Sequence, residues 1–152
     1  MADIVDATTR SRMMSGIRSK NTKAELEIRK NLFVSGFRYR LHDNRLPGKP
    51  DLTFPHYRAV IFIHGCFWHA HSCHLFKIPD TRSDFWKTKL KRNRRKDEET
   101  TEALRKLGWR ILTVWECSFR GKGKKRGMEI NRISVRIAKW LRSNSKQLEI
   151  RG

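Results

Sequence analysis

The chain has 152 residues and a formal net charge of +20, from 35 Lys and Arg against 15 Asp and Glu. That length suits one domain, and 38% hydrophobic with 10% aromatic residues supply a core, which excludes wholesale disorder despite 33% charged residues. The longest apolar run, Ala59 to Ile63, is far short of the ~20 residues of a membrane span, and no secretory segment opens the chain, which points to a cytoplasmic protein; the positive surplus points to a polyanionic partner, nucleic acid before anionic membrane.

Residues 1–20 are polar and basic, with adjacent Met13 and Met14 and no periodicity, and read as a flexible arm ordered by a partner. Thr22 with Glu25 three residues on has capping-box spacing, and Ala24, Ile28, Leu32 and Phe33 recur at helical intervals as far as Gly36. Leu46-Pro-Gly-Lys-Pro50 is a turn. After it Asp51 opens an extended segment, Leu52 to Phe54, because Pro50 cannot donate into a ladder, and Pro55-His56 links it to a partner strand from Tyr57 to Ile63. Ser83 can cap a long helix from about Asp84 to Leu107, closed by Gly108. Arg110 to Trp115 then reads as a strand parallel to the one before the helix, a βαβ-like crossover. Gly121 to Gly127 reads as a flexible basic linker, and Ile130, Ile133, Ile137, Trp140 and Leu141 as the core-facing side of a last helix. The expected organisation is a single α/β domain over 21–142 with a central mixed sheet, an arm at 1–20 and a frayed tail at 143–152.

The segment His64-Gly-Cys-Phe-Trp-His-Ala-His-Ser-Cys-His74 carries too many ligand-type side chains for an ordinary loop. Three cysteines are an odd count, which suggests metal ligation or spare thiols rather than a disulfide framework. Cys66, His71 and Cys73 lie within eight residues, and Cys117 follows a strand that should end near the strand finishing at Ile63, so four soft ligands can converge on a structural Zn²⁺. The competing reading is three buried thiols beside surface histidines. Asp51 and His64 should meet at one sheet edge, where the carboxylate can hold Mg²⁺ together with a strand carbonyl, water and phosphate oxygens. His64, or His69 in the same loop, can then take or give a proton. A lone Asp after Pro also serves as a turn or strand cap. Trp86, Lys89, Asn93 and Asp97 share one face of the long helix, Lys89 and Asn93 being candidate groove contacts, while the basic run from Lys87 to Lys96 suits phosphates. His42, His56 and His74 are solvated or structural by default.

Pro50-Asp51, then Phe62-Ile63-His64-Gly65-Cys66-Phe67-Trp68-His69, His71-x-Cys73, Gly108-Trp109-Arg110 and Trp115-Glu116-Cys117 together resemble the very short patch repair (Vsr) endonucleases, members of the restriction-endonuclease-like group. The resemblance runs from about residue 3 to about Arg120. It implies a three-layer domain that acts as a monomer in the bacterial cytoplasm, at the nucleoid, and nicks double-stranded DNA 5′ to the T of a T:G mismatch left by 5-methylcytosine deamination, with repair-pathway proteins as further partners. It implies that Asp51 is the metal-binding carboxylate, that His64 and His69 are catalytic, and that Glu25 is a further acid near the metal. The second Mg²⁺ contact falls on the main-chain carbonyl of residue 63, which is Ile63 where Thr is usual; a carbonyl ligand survives that change. The family's zinc ligands fall on Cys66, His71, Cys73 and Cys117. Its aromatic wedge falls on Phe67, Trp68 and Trp86, and its arm contact on Met14.

Two other readings compete. A non-catalytic, zinc-stapled DNA- or RNA-binding module explains the charge, the aromatics and the soft ligands equally well, but has no need of Asp51, His64 and His69 at one sheet edge. A double-strand cutter of the restriction type requires a symmetric dimer, and the last helix, whose apolar face suits the core, is no dedicated dimer element.

Overall fold

The computed structural model describes residues 22–73, 76–119 and 123–152; the arm at 1–20 with Met14, and His74, lie outside the described residues. Helix α1 (Lys23–Val34) starts where the capping signal puts it: Thr22 is extended, and its hydroxyl accepts the amide of Glu25. A two-residue strand β1 (Arg40–Leu41), absent from the sequence reading, pairs antiparallel with β2 (Leu52–Phe54) across the Pro-Gly turn. A single 3-10 turn, Pro55–Tyr57, separates β2 from β3 (Ala59–His64). The third strand therefore begins two residues later than its β-branched run suggests, because Arg58 takes a left-handed conformation, φ 51°, to close that turn.

Helix α2 (Ser83–Lys106) is the expected long helix. Its cap differs from expectation: Ser83 lies inside the first turn, and Arg82, at φ 57°, stands at the cap position with no side-chain bond to the helix. Strand β4 (Arg110–Trp115) pairs parallel with β3 from Ala59↔Arg110 to His64↔Trp115, as the crossover requires. Helix α3 (Gly123–Leu141) starts inside the stretch expected to be a linker. Arg126 holds that first part down, its guanidinium gripping both carboxylate oxygens of Glu27 on α1 at 2.8 and 3.0 Å.

The tail is likewise not frayed. Residues Gln147–Ile150 form β5, parallel to β4, with Ile150 1% exposed. Arg110 makes this return possible. Its guanidinium donates to the carbonyls of Trp140, Leu141, Ser143 and Ser145 at 2.7 to 3.2 Å, satisfying the end of α3 and steering the chain back to the sheet.

The sheet order is β1-β2-β3-β4-β5, antiparallel on one side of β3 and parallel on the other, the mixed α/β arrangement expected. Alternation along the strands splits the core into two layers. Ala59, Ile61, Leu112, Val114 and Ile150 join Ile28 and Leu32 of α1 and Ile133, Ile137 and Trp140 of α3, the last helix turning its apolar face to the core as its periodicity demands. Val60, Phe62 and Ile111 meet Leu104 of α2 on the other face. The parallel pair β3 and β4 ends at His64 and Trp115, so the segments that leave them emerge side by side.

Candidate active site and metal centre

Three clusters of ligating side chains converge around that end of the sheet: Glu25, His42 and Asp51; His64, His69 and Asp97; and Cys66, His71, Cys73 and Cys117. Within each, the ligand atoms lie within 4.8 Å of one another.

The first cluster is built by α1 and the β1–β2 pair. Asp51 stands just before β2, and its Oδ2 accepts the amide of Ile63 on β3 at 2.7 Å, which fixes the carboxylate against the strand that carries His64. Glu25, 2% exposed, keeps its amide for the helix cap and turns its carboxylate to Arg29 Nη1 at 3.0 Å and His42 Nε2 at 3.0 Å. Burial raises the Asp51 carboxyl, the amide of Ile63 works against this, and the neighbouring Glu25 adds to it, with the result near pH 7. Two acids crowded out of water repel and gain from a cation between them, so the pair fits a divalent ion chemically. His42 is the member that sequence reasoning missed. The two-residue strand before it carries no periodic signal, and a single histidine in a basic chain has a solvated default.

The second cluster joins the end of β3 to α2. His64 and His69 stack with ring centroids 3.6 Å apart and planes at 7°, and Trp115 meets His64 edge to face with centroids 5.3 Å apart. Burial, with His69 contributing, pushes His64 well below the usual imidazole range, so it is a neutral base at physiological pH. Its Nδ1 is buried without a hydrogen-bond partner among the described residues. His69 donates Nδ1–H to Asp97 Oδ2 at 2.6 Å, which leaves Nε2 to act on a substrate. The loop that carries His69 is pinned by Asn93, whose amide donates to the carbonyl of Trp68 at 3.0 Å. Asn93, expected as a groove contact, thus holds the loop, and Asp97, expected only on the same face, orients an imidazole.

The third cluster lies behind the loop. Cys66 follows β3, His71 and Cys73 continue the loop, and Cys117 sits in the 3-10 turn Glu116–Ser118 after β4. His71 Nδ1 lies 3.7 Å from Cys117 Sγ. With Zn–S near 2.3 Å and Zn–N near 2.0–2.1 Å, a tetrahedral ion separates these atoms by about 3.6 Å, so the donor set fits zinc in kind and spacing. The amides of Cys117 and Gly152 donate to Cys66 Sγ and Cys117 Sγ, each at 3.3 Å, bonds that suit the thiolates a metal would bind. Burial pushes the Cys66 thiol up, opposed by the Cys117 amide, and burial with Arg151 pushes His71 down, toward the neutral imidazole a metal needs.

The front of the loop is aromatic. Phe67, Trp68 and Trp86 pack edge to face, 5.1 to 5.9 Å between centroids, all partly exposed, with Lys89 Nζ 5.8 Å from both Trp rings. Along α2, Lys87, Lys91, Arg92, Arg94, Arg95 and Lys96 are exposed. A positive helix beside an apolar prow is an arrangement that meets a polyanion whose interior can be entered.

The chain is similar to known proteins. A family model described as DNA mismatch endonuclease Vsr matches residues 2–75. Over 154 aligned residues the chain is 40% identical to the DNA mismatch endonuclease Vsr of Escherichia coli (strain K12), covering 100% of this chain and 97% of that protein. It is 45% identical over 122 residues to the type II nicking enzyme V.NmeAIP of Neisseria meningitidis serogroup A, covering 80% of this chain and 87% of the relative. For the type II nicking enzyme V.XorIIP of Xanthomonas oryzae pv. oryzae the identity is 42% over 123 residues, 81% and 90% of the two chains.

Proposed function

Because the chain belongs to the family of DNA mismatch endonucleases Vsr, we propose that it nicks duplex DNA at a T:G mismatch, hydrolysing the phosphodiester 5′ to the T and leaving a 5′-phosphate. The observation that carries this reading is Asp51 tied to the Ile63 amide next to a stacked pair of histidines, one half-buried and neutral and the other hydrogen-bonded to Asp97. A binding module has no use for that set. The three layers of helix, mixed sheet and helix are those of the restriction-endonuclease-like group.

Asp51 and the main-chain carbonyl of Ile63 would hold Mg²⁺, with Glu25 beside them, and Cys66, His71, Cys73 and Cys117 would hold Zn²⁺. When bound, Mg²⁺ supplies a counter-charge to the phosphate oxygens as hydrolysis adds negative charge to them. Neutral His64 suits the base that takes a proton from the attacking water. His69, whose Nδ1 is anchored on Asp97, suits the acid that returns a proton through Nε2 to the departing 3′ oxygen, so the proton count balances. Phe67, Trp68 and Trp86 serve as the wedge. Unstacking a base step costs a few kcal/mol and costs least where pairing is already poor, which turns apolar bulk into mismatch selectivity. Lys89 and the exposed basic residues of α2 bind phosphates. Met14 joins this reading as an arm contact.

The test is strand nicking in Mg²⁺ on duplexes that hold T:G or C:G at one position in several cytosine-methylation contexts. A single nick 5′ to the mismatched T, absent from C:G, is the expected result. Tight, salt-sensitive binding with no nick in any context would favour the zinc-stapled binding module. Within the same assay Asp97→Asn is expected to slow single-turnover nicking about 10- to 100-fold, with duplex affinity unchanged, because Asn cannot hold His69 in the same protonation and orientation. A wild-type rate in that variant would remove Asp97 from the mechanism.

A further inference from the structure

His42 stands one residue past β1 in the left-handed region, φ 46°, a conformation that costs a side-chain-bearing residue free energy. That backbone turn does two things at once. The His42 amide donates to the Asp51 carbonyl at 3.1 Å, and the imidazole reaches over Asp51 toward α1. Nε2 then lies 3.0 Å from Glu25 Oε2 and 3.9 Å from Asp51 Oδ1. Asp51 Oδ2 is taken by the Ile63 amide, and the other oxygen is the one that faces the imidazole.

These separations fall within the span of a coordination shell. Ligands about 2.1 Å from an octahedral cation lie about 3.0 Å apart when adjacent and about 4.2 Å apart when opposite. A shell of oxygens alone suits Mg²⁺, whereas an imidazole among the donors favours Mn²⁺ and the later divalent ions. We propose that His42 supplies its Nε2 to the cation held by Asp51 and Glu25, making this a mixed nitrogen and oxygen site that takes Mn²⁺ in preference to Mg²⁺. In the metal-free protein a proton on Nε2 bridges to Glu25, and the ion replaces it. The proposal rests on the reading of Asp51 as the carrier of the nuclease's metal.

The experiment uses the full, zinc-loaded chain with Mn²⁺ as the only added ion, and reads binding rather than turnover. Electron spin-echo modulation of bound Mn²⁺ is expected to show ¹⁴N coupling from one directly bound imidazole. In His42→Gln that coupling is lost, and the Mn²⁺ dissociation constant, followed by the free-ion resonance, rises about tenfold or more. The dissociation constant of Mg²⁺, measured by competition, changes much less. Gln retains a donor toward Glu25, and absence of coupling in the wild type overturns the proposal by itself should the variant not fold. Absence of ¹⁴N coupling in the wild type, or its survival in His42→Gln, overturns the proposal. Asp51→Asn should abolish Mn²⁺ binding; if it does not, the reading of Asp51 beneath the proposal fails, and that failure is distinct from the loss of His42.

Discussion

Asp51→Asn is expected to lower the nicking rate on a T:G duplex by about 10³-fold or more, roughly 4 kcal/mol of barrier, while raising the stability of the metal-free protein. Both effects come from one carboxylate. Asn keeps a carbonyl oxygen for the Ile63 amide and so preserves the local strand geometry, but it cannot present an anionic oxygen to a divalent ion beside Glu25. The stability gain follows from linkage. Burial, partly offset by the Ile63 amide and reinforced by Glu25, raises the Asp51 carboxyl from 3.8 to about 7. An acid raised on folding contributes stability that is whole below its unfolded value and is lost as pH rises through its folded one. Wild-type protein without Mg²⁺ should therefore lose up to about 4 kcal/mol between pH 4 and pH 8 from this group. Asp51→Asn should escape that loss, so its advantage in melting temperature grows across the same window and levels off above it. Scanning calorimetry in Mg²⁺-free buffer reads the difference directly. A variant that nicks normally would show that the carboxylate is not the metal carrier, and one less stable than wild type at pH 8 would show that it is not held against burial and repulsion.

The parts of this site that could be read from sequence are those whose chemistry is local or whose side chains are rare. Thr22 and Glu25 announce a helix start through three-residue spacing. Cys66, His71, Cys73 and Cys117 announce a ligand set because parallel β3 and β4 must end together. Elements made by distant partners left no such trace. Strand β5 is four residues, two of them polar, and exists because β4 offers an unpaired edge and Arg110 gathers the carbonyls that lead to it. The short β1 exists because Leu41 meets Leu52 across a turn, and His42 gains its position from that pairing. Asp97 lies in a basic run where a carboxylate reads as surface charge, and only the fold of residues 65–73 brings His69 to it. Helix α3 reaches back to Gly123 because Arg126 finds Glu27, a contact across 99 positions.

Removal of the proposed zinc, or Cys117→Ser, is expected to be the most damaging change to the fold that leaves the proposed catalytic side chains chemically intact. The loop from Gly65 to Cys73 has few internal hydrogen bonds, among them His69 to Gly65, Ala70 to Phe67 and His71 to Cys66. Beyond the contacts of Asn93 and Asp97 on α2, it is held by the four-ligand cluster, with His71 stacked on Trp115 at 4.0 Å and Cys117 anchored after β4. Without a metal, three thiols and an imidazole are left partly or wholly buried, and burial holds Cys66 protonated. A structural zinc contributes folding free energy outright, and here several kcal/mol should be lost, lowering the melting temperature by on the order of 10 °C or more. The same loop carries His69, Phe67 and Trp68, so nicking and mismatch preference should fall together although none of those residues has changed. Zinc content, calorimetry and amide hydrogen exchange across residues 65–73 separate the possibilities. The expected pattern is one zinc lost per chain, fast exchange in the loop, and retained protection in α1, β2 and β3, whose core of Ile28, Leu32, Leu52 and Ile61 is separate from the cluster. Full nicking activity after complete loss of zinc would mean that Asp97 and Asn93 alone suffice to hold the loop against α2.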